Sequence, residues 1–188
     1  MTADSTAKLR ELMLYIAAKT EKTASFGSIK MNKALYYSDF IWYAKTGKSM
    51  TGVTYHKRDF GPVPRGLLPV QEALIKAEEA ELLLRPTPLP NGEEKRLIAK
   101  RKPQLDGLFT ADQIALVDEI IEELAPWSAH AVSDATHQHL GWLLAEYAQD
   151  IPYYTVFLDD AIAKPSDIER GIELAAERGW KSTANTAP

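Results

Sequence analysis

Three side chains in the stretch SAHAVSDATHQHLGW, residues 128–142, could share one chemical task. His130, Asp134 and His137 stand at i, i+4 and i+7, the spacing that brings side chains onto one face of an α-helix. Two imidazoles and a carboxylate are a ligand set for zinc or iron, with His139 close by in sequence. Asp134 and His137 could instead act as an acid–base pair in a hydrolase. Against either use, the chain has no His-Glu-x-x-His element, no evident fourth ligand and no activated nucleophile to accompany the pair. The plainer alternative is one histidine bonded locally and the others in solvent.

Two further strings tempt and fail. TGKS at residues 46–49 has the ending of a phosphate-binding loop, but Trp42 stands where the upstream glycine belongs and a helix rather than a strand precedes it. DFG at residues 59–61 lacks the glycine-rich loop, paired lysine and catalytic loop that a kinase needs before it. The absence of cysteine removes disulfides, thiolate metal sites and a Cys nucleophile. No cofactor is expected.

The elements that must carry these residues follow from periodicity. Leu9, Leu12, Met13, Ile16 and Ala17 recur at helical spacing and predict a first helix over residues 5–20. Ser28 is the expected N-cap and Gly47 the expected stop of a second. Val53, Tyr55 and Lys57 alternate with polar residues, which predicts a short strand ended by Gly61-Pro62. A helix over 65–80 follows, with Pro69 in its first turn or kinking it. Runs at 82–85 and 96–100 flank a loop with Asn91-Gly92, a hairpin that could pair with the Val53 strand.

Thr110 and Gln113 form a capping-box pattern ahead of Ile114, Val117, Ile121 and Leu124. Asp112, Asp118, Glu119, Glu122 and Glu123 mark the outer face of that helix. Ser128 is expected to cap a helix to about His139, with a short one at 142–147 and no clear assignment for DIPYYTVF. Ser166 and Glu169 repeat the capping pattern behind Pro165. Together these predict a mainly α-helical α+β domain with a small antiparallel sheet or hairpin, spanning residues 5–180, then a flexible tail at 181–188.

The chain has 188 residues, 45% of them hydrophobic, which suits one domain with a real core. A net charge of −4 disfavours a broad phosphate-binding surface. The basic group Lys95, Arg96, Lys100, Arg101 and Lys102 keeps a nucleic-acid alternative open, though a solvated charged face is commoner. No run is long enough for a membrane span and the first residues lack the apolar core of a signal peptide, so a cytoplasmic protein is expected.

KMNKALYYSDF, residues 30–40, does not sort into two clean faces. Met31, Leu35, Ser38 and Trp42 form a core stripe, and Asn32, Tyr36, Asp39 and Tyr43 an adjacent polar-aromatic ribbon. That ribbon either buries its rings, with Asp39 paired to a lysine or arginine, or offers tyrosines to a protein partner.

KMNKALYYSDF, then TGVTYHKRDFGPVP, then an acidic-faced helix, SAHAVSDATHQHLGW and IPYY together resemble the Panacea domain, or SocA-like antitoxin domain, over about residues 8–154. Ala34 replaces a larger aliphatic and HQHLGW a more acidic stretch. The resemblance implies a mainly helical fold with a small antiparallel sheet. It also implies a non-enzymatic antitoxin that binds a cognate protein toxin, commonly encoded by an adjacent gene, and that in some members hands the toxin to a cellular protease. Lys30, Lys33, Tyr36, Tyr55 and His137 are the expected partner-binding residues, since their polar tips must find partners. No membrane partner is expected.

Overall fold

The computed structural model describes residues 2–87 and 93–158. Among them, helix α1 (Ala3–Lys19) buries the predicted stripe, and Thr2 caps it by accepting the Ser5 amide. Helix α2 (Ser28–Thr46) is the centre of the molecule. It touches α1, the strands at Gly61–Pro64 and Glu93–Ala99, the helices at Ala111–Leu124 and Ala129–His137, and the 3-10 helix at Tyr153–Leu158. An element enclosed on so many sides along residues 30–40 has little solvent face there to sort its residues by, which is why the wheel showed no clean division. Met31, Leu35 and Ser38 are buried as expected, but so are Lys30, Lys33, Tyr36, Asp39 and Phe40, while Trp42 is only half-buried. Gly27, not Ser28, holds the N-cap position, and the Ser28 hydroxyl donates to Lys95 O of β4. Gly47 ends the helix in the left-handed region, as predicted.

Strand β1 (Tyr55–Arg58) turns at Asp59-Phe60 into β2 (Gly61–Pro64), with Arg58 opposite Gly61. Gly61-Pro62 therefore begins a return strand rather than ending the sheet. Proline is tolerated because β2 is an edge, where no ladder amide is required of it. The other side of β1 pairs with β5 (Asp150–Ile151), and DIPYYTVF continues from β5 into the 3-10 helix (Tyr153–Leu158). The predicted hairpin is present as β3 (Ala80–Pro86) and β4 (Glu93–Ala99), but it forms its own sheet. It cannot join β1, whose two edges are already taken by β2 and β5. The Asn91-Gly92 connection lies outside the described residues.

Helix α3 (Leu67–Lys76) is shorter than predicted and carries Pro69 in its first turn. Helix α4 (Ala111–Leu124) opens on the capping box, with Thr110 Oγ1 accepting the Gln113 amide and Gln113 Oε1 accepting the Thr110 amide. Ser128 caps α5 (Ala129–His137), and α6 (Leu140–Leu144) begins earlier than residue 142. The pattern at Ser166 and Glu169 and the tail at 181–188 lie outside the described residues. The fold is mainly helical α+β, and the described residues form two small antiparallel sheets and one hydrophobic core shared by α1, α2, α4 and the sheet residues Tyr55, Leu97 and Ile151. Among the described residues no helix is long and apolar enough to cross a membrane.

Candidate partner-binding site

The two lysines of α2 each run inward to a main-chain carbonyl. Lys30 Nζ donates to Ala125 O, the C-cap of α4, 2.9 Å away, so an ammonium meets the negative end of a helix. Lys33 Nζ donates to Phe60 O in the turn between β1 and β2. Gly61 and Thr136 Oγ1 close over it: a Cβ built on Gly61 would lie 2.0 Å from Lys33 Nζ and 2.7 Å from Thr136 Oγ1. Thus α2, the hairpin tip and α5 meet at one buried cation.

Burial in apolar surroundings pushes the Lys33 ammonium down to about 7 from its ordinary 10.5. The unfolded chain then holds a proton that the folded chain lacks between those two values, so stability rises with pH across the window. Below it the folded state carries the full cost of the buried charge, and above it none. Burial lowers Lys30 in the same sense. The raised hydroxyls of Tyr15, Tyr55 and Tyr153 reverse the trend only above the ordinary tyrosine value of 10.0. Urea midpoints between about pH 7.5 and 9.5 should therefore climb for the wild type, by up to about 1.4 kcal/mol per pH unit, and climb much less for Lys33→Met. Equal slopes in the two proteins would show that Lys33 does not titrate there.

Above this knot the surface is aromatic and cationic. Phe60 projects from the tip with 63% of its surface exposed. The His137 ring stacks on Trp142 with centroids 4.0 Å apart, and His137 also bonds to the Asp59 backbone. Lys57 Nζ lies 4.1 Å from the Trp142 ring centre and donates to Ala145 O, while Trp142 Nε1 donates to Arg58 O. Arg58 donates to His56 Nε2 and to the hydroxyl of exposed Tyr147. Side chains from β1, α5, α6 and the segment after it are thus tied together beside the turn that carries Phe60.

Of the five expected binding residues, His137 alone reaches this surface. Lys30, Lys33, Tyr36 and Tyr55 are at most 1% exposed. Their polar tips do find partners, but inside the fold: Tyr36 meets His139 Nδ1, and Tyr55 donates to Asp39 Oδ2. They build the surface from beneath. Asp39 is buried with no cation partner among the described residues, unlike the ion pair that one of the two readings gave it; its carboxylate accepts the Thr51 amide, the Thr51 hydroxyl and the Tyr55 hydroxyl. Phe60 and Tyr147 were missed, because nothing in a sequence distinguishes a projecting aromatic from a core one. Their neighbours in motif strings were the only signal.

The residues of the enzyme alternative point in different directions. His130 and Asp134 pair with each other in solvent, while His137 turns onto Trp142. Burial and the nearby Lys33 lower His137 from its ordinary value. No group of three acidic, histidine or cysteine side chains among the described residues is placed to hold a metal ion. The basic group divides: Arg96 is buried and Arg101 half-buried, while Lys95, Lys100 and Lys102 are exposed. Arg96 donates to Thr20 O and Thr23 O, Arg101 binds Glu11 and Glu79, and Lys100 binds Glu81.

A family model described as antitoxin SocA-like, Panacea domain matches residues 31–143, from α2 to α6. The match contains Lys33, Phe60, Thr136, His137 and Trp142 and leaves out α1 and the 3-10 helix. No curated protein and no solved structure matches the chain.

Proposed function

Because the chain belongs to the antitoxin SocA-like, Panacea domain family, we propose that it neutralises a cognate protein toxin by direct binding, through the surface centred on Phe60. The observation that carries this reading is a large exposed aromatic on a turn fixed from below by a buried lysine. Exposed apolar surface costs solubility, and a held conformation spares ordering entropy when a partner docks. Arg58 and Tyr147, beside it, are of the residue types that dominate binding energy at interfaces. Neutralisation of this kind needs affinity and geometry only: a docked domain covers the toxin's active surface and performs no chemistry.

The test uses the product of the gene adjacent to this one. Co-expression should restore growth that the neighbour alone abolishes. Phe60→Asp should leave the urea midpoint of the chain nearly unchanged, within about 0.5 kcal/mol as for most exposed positions. It should weaken binding to the purified neighbour by about 30-fold or more, the loss typical of a central anchor. A neighbour that is harmless, or still toxic beside the wild-type chain, removes the antitoxin reading. Undiminished binding by Phe60→Asp removes the assignment of the surface.

A further inference from the structure

On the other flank of α5 lies an open groove of about 230 Å³ that Phe60 does not line. Its walls are Tyr37 and Ile41 of α2, Ile120 and Leu124 of α4, and Val132 and Ala135 of α5. Trp127, at 44% exposure, stands at its mouth. Glu123 is the one charged lining residue. The walls lack the convergent polar groups by which small-molecule pockets orient a ligand. An open apolar groove walled by three helices instead matches the way an amphipathic helix is received.

The charge around it selects the occupant. On α4, exposed Glu119 and Glu123 stand one turn apart beside the groove, Glu123 lining it, while exposed Glu122 lies on the side away from it and exposed Asp112 at the start of the helix. None of them makes an ion pair among the described residues, whereas Asp118, one turn before Glu122, is engaged by Tyr15 and Lys19. The helix contains no basic residue to balance them. Glu122 and Glu123 also stand in its last turn, where the helix dipole disfavours negative charge. Lys30, below, satisfies the Ala125 carbonyl but does not reach these carboxylates. On α5, His130 and Asp134 pair with each other, and on α2 the exposed Lys45 lies one turn beyond Ile41. The rim is therefore acidic on balance, at some local cost to α4. A second copy is a poor fit, since a two-fold contact through this face sets one acidic rim near the other in a chain of net charge −4.

We propose that this groove receives a basic amphipathic helix of the protein partner, apolar face inward and lysines or arginines against the α4 carboxylates. The proposal rests on the reading that the partner is a protein, and gives that partner a second contact apart from Phe60.

The probes are two fluorescein-labelled peptides about 18 residues long, five turns of helix, with the same leucine and phenylalanine face. One has a lysine- and arginine-rich polar face and the other a glutamate-rich one. Anisotropy with the full chain should show the basic peptide binding at least about tenfold more tightly. Glu119→Lys with Glu123→Lys should reverse that preference. Ala135→Trp, which fills the groove, should weaken both peptides at least about tenfold, with circular dichroism confirming that each variant folds. Equal binding of the two peptides, no binding of either, or indifference to both variants would overturn the proposal. So would a wild-type dimer, seen by light scattering, that Ala135→Trp breaks, since a second copy would then occupy the groove. If the peptides fail while the wild-type chain still neutralises its neighbour, only the groove assignment falls; if neutralisation itself fails, the antitoxin reading falls whatever the peptides do.

Discussion

Asp39→Ala is expected to destabilise the protein by about 3–5 kcal/mol, a large part of the roughly 5–15 kcal/mol that holds a typical domain. The carboxylate is fully buried, at 0% exposure. It gathers the Thr51 amide at 2.7 Å, the Thr51 hydroxyl at 2.5 Å and the Tyr55 hydroxyl at 2.8 Å. Alanine leaves all three donors facing apolar groups, and each unsatisfied buried donor costs about 1–3 kcal/mol. The full sum is not expected, because the substitution also removes a desolvated carboxyl, one that burial has pushed above its ordinary range. Asp39→Asn should fall between alanine and the wild type: it keeps the shape but turns an amide donor toward donors. Tyr153 donates to Val53 O beside this cluster, so the 3-10 helix should loosen as well. Urea denaturation followed by circular dichroism reads the loss. A change below about 1 kcal/mol for alanine would mean that the donors find water, and that the cluster is not a structural centre.

Gly61→Ala should cost a similar amount, about 3–5 kcal/mol, for two separable reasons. The residue has φ +101°, a conformation that a side chain strains by roughly 1–3 kcal/mol. In addition, the new methyl would occupy the place of Lys33 Nζ. A lysine tip can usually swing aside, but this one is 1% exposed and tied to Phe60 O, so displacement strands a cation in the core. A double-mutant cycle with Lys33→Ala separates the two contributions. Removing the lysine side chain should relieve the clash with Nζ and leave the backbone part and the close approach to Thr136 Oγ1, so Gly61→Ala should cost distinctly less in the Lys33→Ala background. Purely additive losses would show that the methyl and the ammonium do not compete. Because the tip carries Phe60, the single variant should also weaken partner binding by more than its stability loss accounts for.

These two sites show how far one-dimensional reading reaches. The capping box at Thr110 and Gln113, the stop at Gly47 and the β3–β4 hairpin were legible because each depends on residues a few positions apart. The polar residues of α2 were legible as unusual but not as to purpose. One of the two readings gave Asp39 a cation, and it instead meets Thr51 and Tyr55; Lys30 and Lys33 were expected at a partner's surface and instead hold Ala125 O and Phe60 O. Main-chain carbonyls are the commonest acceptors in any protein, yet they carry no residue signature, so a lysine destined for one looks the same as a lysine destined for solvent.

The sequence by itself determined the mainly helical class, the positions of most elements and the family, because local periodicity, capping chemistry and motif spacing are written in the order of residues. Tertiary structure alone decided which motif residues face inward, which strands share a sheet, that Phe60 projects while Tyr36 and Tyr55 do not, and that an apolar groove opens beside the acidic face of α4. Those outcomes depend on which distant elements claim each side of α2 and each edge of β1, and that competition is settled only when the whole chain packs.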